Sequence, residues 1–311
     1  MAFAQGDNLA ALGKILALPN DKIDLVKAKL LIDHMIDPKV DVVSTSKALD
    51  LMVDGVKAIL PPNASNQNKL IGLRRYIYLS GEWNGFKPFS YDLDDPLGEN
   101  IQNKVIATYL TTRKGNCVSM PILVLLLGQK LGLDLSLSTV PHHFFLKFRD
   151  DTGKTVNLEA TDHAAPMSDA RYQQQSPMTE LAIKNGIYLQ PLNKKETISV
   201  MMETLMEHYV ESKQFDKIIV LADLALKYYP KHVDAMLMKG AAYGETMNQE
   251  FKSKYPTENL VPFELLPRLA ELSNNTNYWY NQAEALGFRP PDQASEDAYK
   301  LRIQQEKARQ H

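Results

Sequence analysis

The chain has a single cysteine, Cys117, among its 311 residues. One thiol cannot form an intramolecular disulfide, so a disulfide-stapled scaffold is excluded and the cysteine content leaves the compartment open. The longest apolar run, from Pro121 to Leu127, is far too short to span a membrane, and we expect no membrane span. The net charge is only −2 and no basic stripe is present, which argues against a nucleic-acid partner.

Cofactor and metal motifs are missing as well. The sequence contains no GxGxxG, no Walker motif and no zinc-type spacing of cysteine and histidine. We therefore predict neither a cofactor nor a metal site. At the N-terminus, Ala2-Phe3-Ala4 has the small-x-small form of a signal-peptidase cleavage site. Three common residues carry little information, so periplasmic and cytoplasmic locations stay equally open.

What is present is mostly helical periodicity. Apolar residues recur at three- and four-residue spacing through much of residues 8–60, notably in 23–37 and 44–60, where Ser44 or Thr45 is a plausible cap. Further helices are predicted over 70–81 and 100–115. The segment after Cys117 is apolar on nearly every face until Leu131 and Gly132, which predicts a helix buried at the centre of the domain.

Three short strands follow this helix, at 135–140, 142–148 and 154–161. The last two flank RDDTG, which is typical of a hairpin turn. A central helix followed by antiparallel strands predicts an α+β domain, with the helix against a small sheet and further helices before it.

The hairpin has an apolar face of even-numbered positions and a polar face of odd-numbered ones, since side chains alternate along a strand. A three-residue turn brings His143 and Glu159 onto the polar face. They would be directly opposite if the turn is 150–152, and diagonal if it is 151–153. A four-residue turn would place them on opposite faces. His142, Asp162 and His163 offer a competing acid and base, at the ends of the apolar face.

A cysteine at the start of a helix, beside a histidine and a carboxylate, has the components of a cysteine protease. The helix N-terminus favours a thiolate, the imidazole moves protons and the carboxylate fixes its tautomer. Backbone N–H groups at the helix start would form an oxyanion hole. Against this, a lone cysteine is most often an inert small hydrophobe, and a paired histidine and glutamate are most often a surface contact.

Residues 198–245 contain an internal repeat. Met202-x2-Leu205-Met206-x2-Tyr209 recurs 34 residues later as Met236-x2-Lys239-Gly240-x2-Tyr243. The intervening residues have the spacings of a tetratricopeptide repeat's second helix. The second repeat is interrupted, and its second helix is recognisable only at YWYNQAEALGFRP. We therefore predict a degenerate repeat region over 197–290, with an insertion at about 247–275, and a polar tail over 291–311.

The chain also resembles the transglutaminase-like superfamily, and more narrowly its bacterial branch with C-terminal tetratricopeptide repeats. The resemblance covers roughly residues 23–245. It rests on YDLDDPLGENIQNKVIATYLTTRKGNCVSMPILVLLLGQKLGL, VPHHFFLKF, VNLEATD, SDARYQQ and NGIYLQPLNKKE. The resemblance implies a papain/transglutaminase-like α+β core in which Cys117 is the nucleophile, His143 the base and Glu159 the acid. The superfamily more commonly has aspartate in a Leu-Asp-Pro context where this chain has Leu158-Glu159-Ala160.

The resulting prediction is a transglutaminase-like domain over 8–190, followed by the repeat region. It would transfer an acyl group from a protein or peptide amide through a thioester on Cys117, with water or an amine as acceptor. The alternative is an inactive transglutaminase-like scaffold whose repeats bind a protein or peptide partner. In that alternative, Cys117 would be buried away from His143.

Overall fold

A computed structural model describes residues 5–290 and, in the C-terminal tail, residues 297, 298, 301 and 305. Ala2-Phe3-Ala4 and most of the predicted polar tail lie outside the described residues. The chain divides into two compact units. The first comprises Met1–Met178, Tyr188–Thr197 and Pro290–His311, and the second comprises Thr179–Ile187 and Ile198–Arg289.

The first unit contains the α+β fold that the sequence predicts. Its helices are α1 (Gln5–Ala17), α2 (Leu25–Ile36), α3 (Val42–Ala58), α4 (Asn66–Tyr78), α5 (Ile106–Thr112), α6 (Ser119–Lys130) and α7 (Asp169–Gln175). Helix α3 begins earlier than predicted, because Asp41 caps it in place of Ser44 or Thr45. The Asp41 carboxylate accepts hydrogen bonds from the backbone N–H groups of Val43 and Ser44, both at 3.0 Å.

The predicted helix over 100–115 is broken. A 3-10 turn at Ile101–Lys104 precedes α5, and the cause is a buried ion pair on α2. The Asp33 carboxylate accepts from Ile106 N–H at 2.9 Å, and Lys29 Nζ donates to the Lys104 carbonyl at 3.1 Å. The two charged groups of α2 therefore satisfy the backbone on either side of the break, which local periodicity does not reveal.

Helix α6 is the centre of this unit, as predicted. Every residue from Ser119 to Gly128 is buried. The helix packs against α3, α4 and α5 and against two strands, β3 (Leu135–Val140) and β4 (His143–Arg149). Gly132 ends it with a φ of 74°, a left-handed conformation that glycine adopts without strain.

The sheet is antiparallel in the order β3-β4-β5-β6, where β5 is Thr155–Glu159 and β6 is Ala165–Met167. The sequence did not predict β6. The outer edge of β3 is covered by the segment that contains Leu189 and Leu192. The backbone N–H groups of these two residues donate to the carbonyl groups of Thr139 and Leu137. A separate two-residue parallel ladder joins β1 (Ser90–Tyr91) to β2 (Lys114–Gly115).

The second unit is helical. It contains α8 (Glu180–Asn185), α9 (Lys194–Glu211) from Ile198 onward, α10 (Phe215–Tyr228), α11 (Val233–Met247) and α12 (Leu266–Ala285). Helix α11 packs against α10 and α12. Helix α12 is continuous through residue 275, where the sequence placed the end of an insertion. None of the helices in the described part of the chain is long and apolar enough to cross a membrane.

Candidate functional site

The segment before Cys117 is fixed by the short β1–β2 ladder. Asp92 N–H donates to the Gly115 carbonyl at 2.7 Å, so the backbone just before Cys117 is held against the strand β1. A Cβ atom at Gly115 would lie 2.5 Å from the Tyr109 ring and 2.8 Å from Met120 Cγ. Only glycine therefore lets the backbone approach α5 and α6 this closely.

Asn116 caps the turn that carries Cys117. Its Oδ1 atom accepts from the backbone N–H groups of Val118 and Ser119, both at 3.0 Å, and Ser119 Oγ accepts from Asn116 N–H at 3.1 Å. This is the reciprocal arrangement of a capping box. The regular part of α6 begins at Ser119, two residues later than Cys117, but Met120 N–H already bonds to the Asn116 carbonyl at 3.1 Å. Cys117 consequently occupies the first turn of the helix.

The thiol of Cys117 is half-buried and faces the start of β4. Its Sγ atom lies 3.9 Å from the carbonyl oxygen of His142, the residue directly before His143. His142 has a φ of 58°, so the chain turns sharply just before β4 and brings this segment to the thiol. The thiol is therefore not buried away from His143.

His143 and Glu159 are in direct contact. The His143 Nε2 atom lies 2.7 Å from Glu159 Oε2. The pairing of Arg149 with Thr155 makes the hairpin loop Asp151 to Gly153, and Gly153 has a φ of 83°. This is the three-residue turn that makes His143 and Glu159 diagonal on one face. Because Glu159 occupies Nε2, Nδ1 is the ring nitrogen left for the thiol.

Both oxygens of the buried Glu159 carboxylate are saturated with donors. Oε1 accepts from the backbone N–H of Thr161 at 2.9 Å and from its hydroxyl at 2.6 Å. Oε2 accepts from Tyr172 Oη at 2.9 Å in addition to His143. A charged carboxylate with a relative exposure of 4% is stable there because four donors replace the water that it has lost.

The electrostatics of the pair favour the charged forms. Burial alone would lower the pKa of His143, but the Glu159 carboxylate and the Cys117 thiol outweigh it and raise that pKa well above 6.5. Burial alone would raise the pKa of Glu159, but His143 and the Thr161 donors hold it well below 4.5. Burial and the Glu159 charge raise the pKa of Tyr172, so its hydroxyl keeps its proton and remains a donor.

Sequence reasoning missed Tyr172, which lies on α7. This helix covers the polar face of the hairpin and is anchored by Asp169, whose carboxylate accepts from Asn157 Nδ2 at 2.6 Å and lies 3.6 Å from Lys147 Nζ. Tyr172 stacks on Phe145 with 4.2 Å between ring centroids. A serine at 168 indicates a helix start, since its hydroxyl accepts from Arg171 N–H. No sequence rule says which strand face that helix covers.

The competing residues are not assembled in the same way. His142, Asp162 and His163 are all exposed, and among the described residues no hydrogen bond joins the side chains of these three. His163 instead packs edge-on against Tyr78, with 5.2 Å between ring centroids. The strand alternation assigns positions 142 and 162 to the apolar face, but both residues are exposed, so the two ends of that face lie outside the core.

The predicted oxyanion hole needs correction. The N–H groups of Val118 and Ser119 are occupied by the Asn116 side chain, so they are not free to bind an oxyanion. Within the described part of the chain, the backbone N–H of Cys117 itself has no hydrogen-bond partner. The helix start therefore supplies one free donor beside the thiol.

Comparison with known proteins identifies the domain around this site. Residues 44–203 match the model of the Transglutaminase-like superfamily, which is just over half of the chain. The chain has no match among curated proteins or among solved structures. The matched range contains α6, the hairpin and α7, and thus Cys117, His143, Glu159 and Tyr172. The chain therefore belongs to the transglutaminase-like superfamily.

Proposed function

We propose that Cys117, His143 and Glu159 form a catalytic triad that transfers an acyl group from a protein or peptide amide. Domains of this superfamily generally perform cysteine-based acyl transfer. The observation that carries the proposal is the 2.7 Å contact of His143 Nε2 with Glu159, which leaves the opposite ring nitrogen for the half-buried thiol. A histidine between a thiol and a buried carboxylate is the arrangement that activates a cysteine nucleophile.

The reaction would begin when the His143 ring, oriented by Glu159, takes the thiol proton of Cys117. The Cys117 sulfur attacks the carbonyl carbon and a tetrahedral oxyanion forms. When the C–N bond breaks, His143 gives its proton to the departing amine and a thioester remains on Cys117. Water or an amine then attacks the thioester, His143 accepts its proton, and the thiol is regenerated.

The Cys117 N–H would stabilise the oxyanion. It lies in the first turn of α6, where the helix dipole also favours negative charge. The Asn116 cap holds this turn in place, so the donor is already oriented before the substrate binds. Because one backbone donor is free at the helix start, a second would come from elsewhere in the cleft or from the substrate.

The proposal is tested by the pH dependence of Cys117 alkylation with iodoacetamide. In the wild type we expect alkylation well below pH 8, because His143 would accept the thiol proton. In His143→Ala, alkylation should require a pH above about 8.5, which is the ordinary pKa of a cysteine thiol. His208→Ala on α9 is the matched control and should behave like the wild type.

Acylation gives the second readout. Intact-mass measurement after treatment with p-nitrophenyl acetate should show one acetyl group on the wild type and none on Cys117→Ser. Faster loss of that acetyl group on adding a primary amine would identify the amine as the acceptor, whereas an unchanged rate would identify water. Alkylation that needs denaturant, or that is the same in wild type and His143→Ala, would contradict the triad.

We also propose that α9–α12 form two degenerate tetratricopeptide repeats that bind a protein or peptide partner. Support comes from the 34-residue recurrence and from the α11–α12 contact, where a Cβ atom at Gly240 would lie 3.2 Å from the Tyr280 ring. Repeats of this kind have small residues where paired helices cross.

The repeat proposal predicts different outcomes for two glycines on α11. At Gly244 a Cβ would make ordinary contacts at 3.6 Å, so Gly244→Ala should stabilise the chain by about 1 kcal/mol through helix propensity. Gly240→Ala should lose that gain or lower stability, because the added methyl group crowds the crossing. Urea unfolding measures both. Equal gains at the two positions would mean that 240 is not a close crossing.

A further inference from the structure

Three side chains with metal-ligating atoms meet in the second unit, away from any sequence motif. Glu203 is on α9, His232 directly precedes α11, and Asp234 is in the first turn of α11. One ligand atom from each lies within 4.8 Å of the others. Residues 29 and 31 positions apart do not form a recognisable metal-binding spacing, which is why the sequence predicted no metal.

His232 is the buried member of this group, with a relative exposure of 3%. Its Nε2 atom lies 2.6 Å from Glu203 Oε1, whereas its Nδ1 atom is buried with no hydrogen-bond partner in the described part of the chain. Tyr229 stacks on the ring at 5.3 Å and holds its plane. Since Nε2 is the ring nitrogen that faces Glu203, it is the one that a cation held by that carboxylate would bind.

We propose that Glu203, His232 and Asp234 bind a divalent transition-metal cation of the Zn²⁺ type. One imidazole with two carboxylates suits zinc better than magnesium, which prefers oxygen ligands alone. Ligands around a tetrahedral zinc lie about 3.4 Å apart, given bonds of about 2.1 Å. The ligand atoms lie within 4.8 Å of one another, and rotation of the two half-buried carboxylates would adjust them to that spacing.

The surroundings favour such a cation. The carboxylates come from different elements, so a cation between them would cross-link α9 to the start of α11. Three protein ligands would leave a position for water or for a ligand from a partner. This site is independent of Cys117 and does not rest on the proposed acyl transfer.

Isothermal titration calorimetry of the full-length, chelator-treated chain tests the site with ZnCl₂ and, separately, with MgCl₂. We expect one zinc to bind and magnesium not to compete. Glu203→Gln keeps an acceptor for His232 but removes a charged ligand. Asp234→Asn removes the charged ligand on α11. Each should weaken zinc binding by more than about tenfold. Glu207→Gln, one turn further along α9, is the matched control and should leave affinity unchanged.

Cobalt identifies the ligands. Co²⁺ bound at this site should show visible d–d bands without the near-ultraviolet thiolate charge-transfer band that Cys117 would produce. Zinc should also raise the melting temperature of the wild type and of Glu207→Gln but not of Glu203→Gln. The proposal is overturned if zinc does not bind, if affinity is unchanged in Glu203→Gln and Asp234→Asn, or if the cobalt spectrum shows thiolate ligation.

Discussion

At the scale of single residues, the Glu159 carboxylate is the most closely constrained group of the candidate site. Tyr172 and His143 share its Oε2 atom, and Thr161 makes two hydrogen bonds to Oε1. Each donor stabilises the negative charge, and that charge in turn stabilises imidazolium. Removing any one donor should therefore change the pH dependence of Cys117 alkylation without changing the fold.

Tyr172→Phe removes one of these donors and leaves the stacking on Phe145 intact. We expect the pKa of Glu159 to rise, so the acid limb of the Cys117 alkylation profile should move to higher pH. Stability should fall by about 1.5–3 kcal/mol, the usual contribution of a hydrogen bond to a charged group. Alkylation rates from pH 4 to 9 and urea unfolding measure the two effects.

Tyr109→Phe is the matched control for this prediction. Tyr109 is also buried in the first unit, but its hydroxyl has no partner among the described residues. Its removal should leave the alkylation profile unchanged and stability unchanged or slightly higher. Equal profiles for the two variants would show that Tyr172 only fills space.

The ion pair of His143 and Glu159 predicts a window of pH in which it stabilises the fold. The pKa of His143 is raised in the folded state, so its contribution to stability is full below pH 6.5. That contribution is lost as the pH rises through the pKa of the folded state. The pKa of Glu159 is lowered, so its contribution is full above 4.5 and is lost as pH falls. The stability difference between wild type and Glu159→Gln should therefore be largest between pH 4.5 and 6.5. Thermal unfolding at several pH values checks this, and a pH-independent difference would contradict it.

At the scale of elements, the turn before α6 decides where the thiol lies. The β1–β2 ladder, the close approach at Gly115 and the Asn116 cap all act within four residues of Cys117. Helix α5 shows the same principle from a distance, since its N-terminus is capped by Asp33 of α2. In both places a side chain satisfies backbone N–H groups that the helix itself leaves free.

Asn116→Ala should cost about 1–2 kcal/mol of stability, because two backbone N–H groups lose their acceptor. It should also slow Cys117 alkylation at pH 7, since the turn no longer holds the thiol against His143. Ser65→Ala removes the cap of α4 and is the control. It should lower stability by a similar amount without changing alkylation, and a parallel loss of reactivity in both variants would assign the effect to general loosening.

At the scale of the whole molecule, the α+β unit is built around a helix with no exposed face. A helix apolar on all sides is stable only when other elements surround it, and α3, α4, α5 and the sheet provide that environment. The site is positioned by the same packing, because the thiol precedes α6 and His143 begins a strand that packs on it.

Leu125→Ala tests this dependence. Leu125 is fully buried in α6, so its truncation should cost about 2–5 kcal/mol through lost burial and a residual cavity. Leu51→Ala on α3 makes the same chemical change at a side chain that is 70% exposed, and should change stability by less than about 0.5 kcal/mol. Guanidinium unfolding compares them, and similar losses would mean that α6 is not the core.

Much of the first unit could be predicted from the sequence, because its signals are local. Helical periodicity located α2 and α6, strand alternation located β3–β5, and a three-residue hairpin turn was one of the alternatives, in which His143 and Glu159 share a face. The features that the sequence did not predict depend on residues far away in the chain or are too short to show a period. The break before α5 is caused by Lys29 and Asp33, and the two-residue strands β1 and β2 are too short to show a period.

The sequence by itself determined the α+β class and the central helix, and it predicted a shared face for His143 and Glu159 if the hairpin turn has three residues. Only the tertiary structure decided that the thiol lies beside the start of β4, that Tyr172 covers the carboxylate, and that Glu203 and Asp234 lie close to His232. The physical reason is the range of the forces involved. Periodicity and turn preferences act between residues a few positions apart. Contacts between separate elements depend on how their buried surfaces pack, which no local pattern encodes.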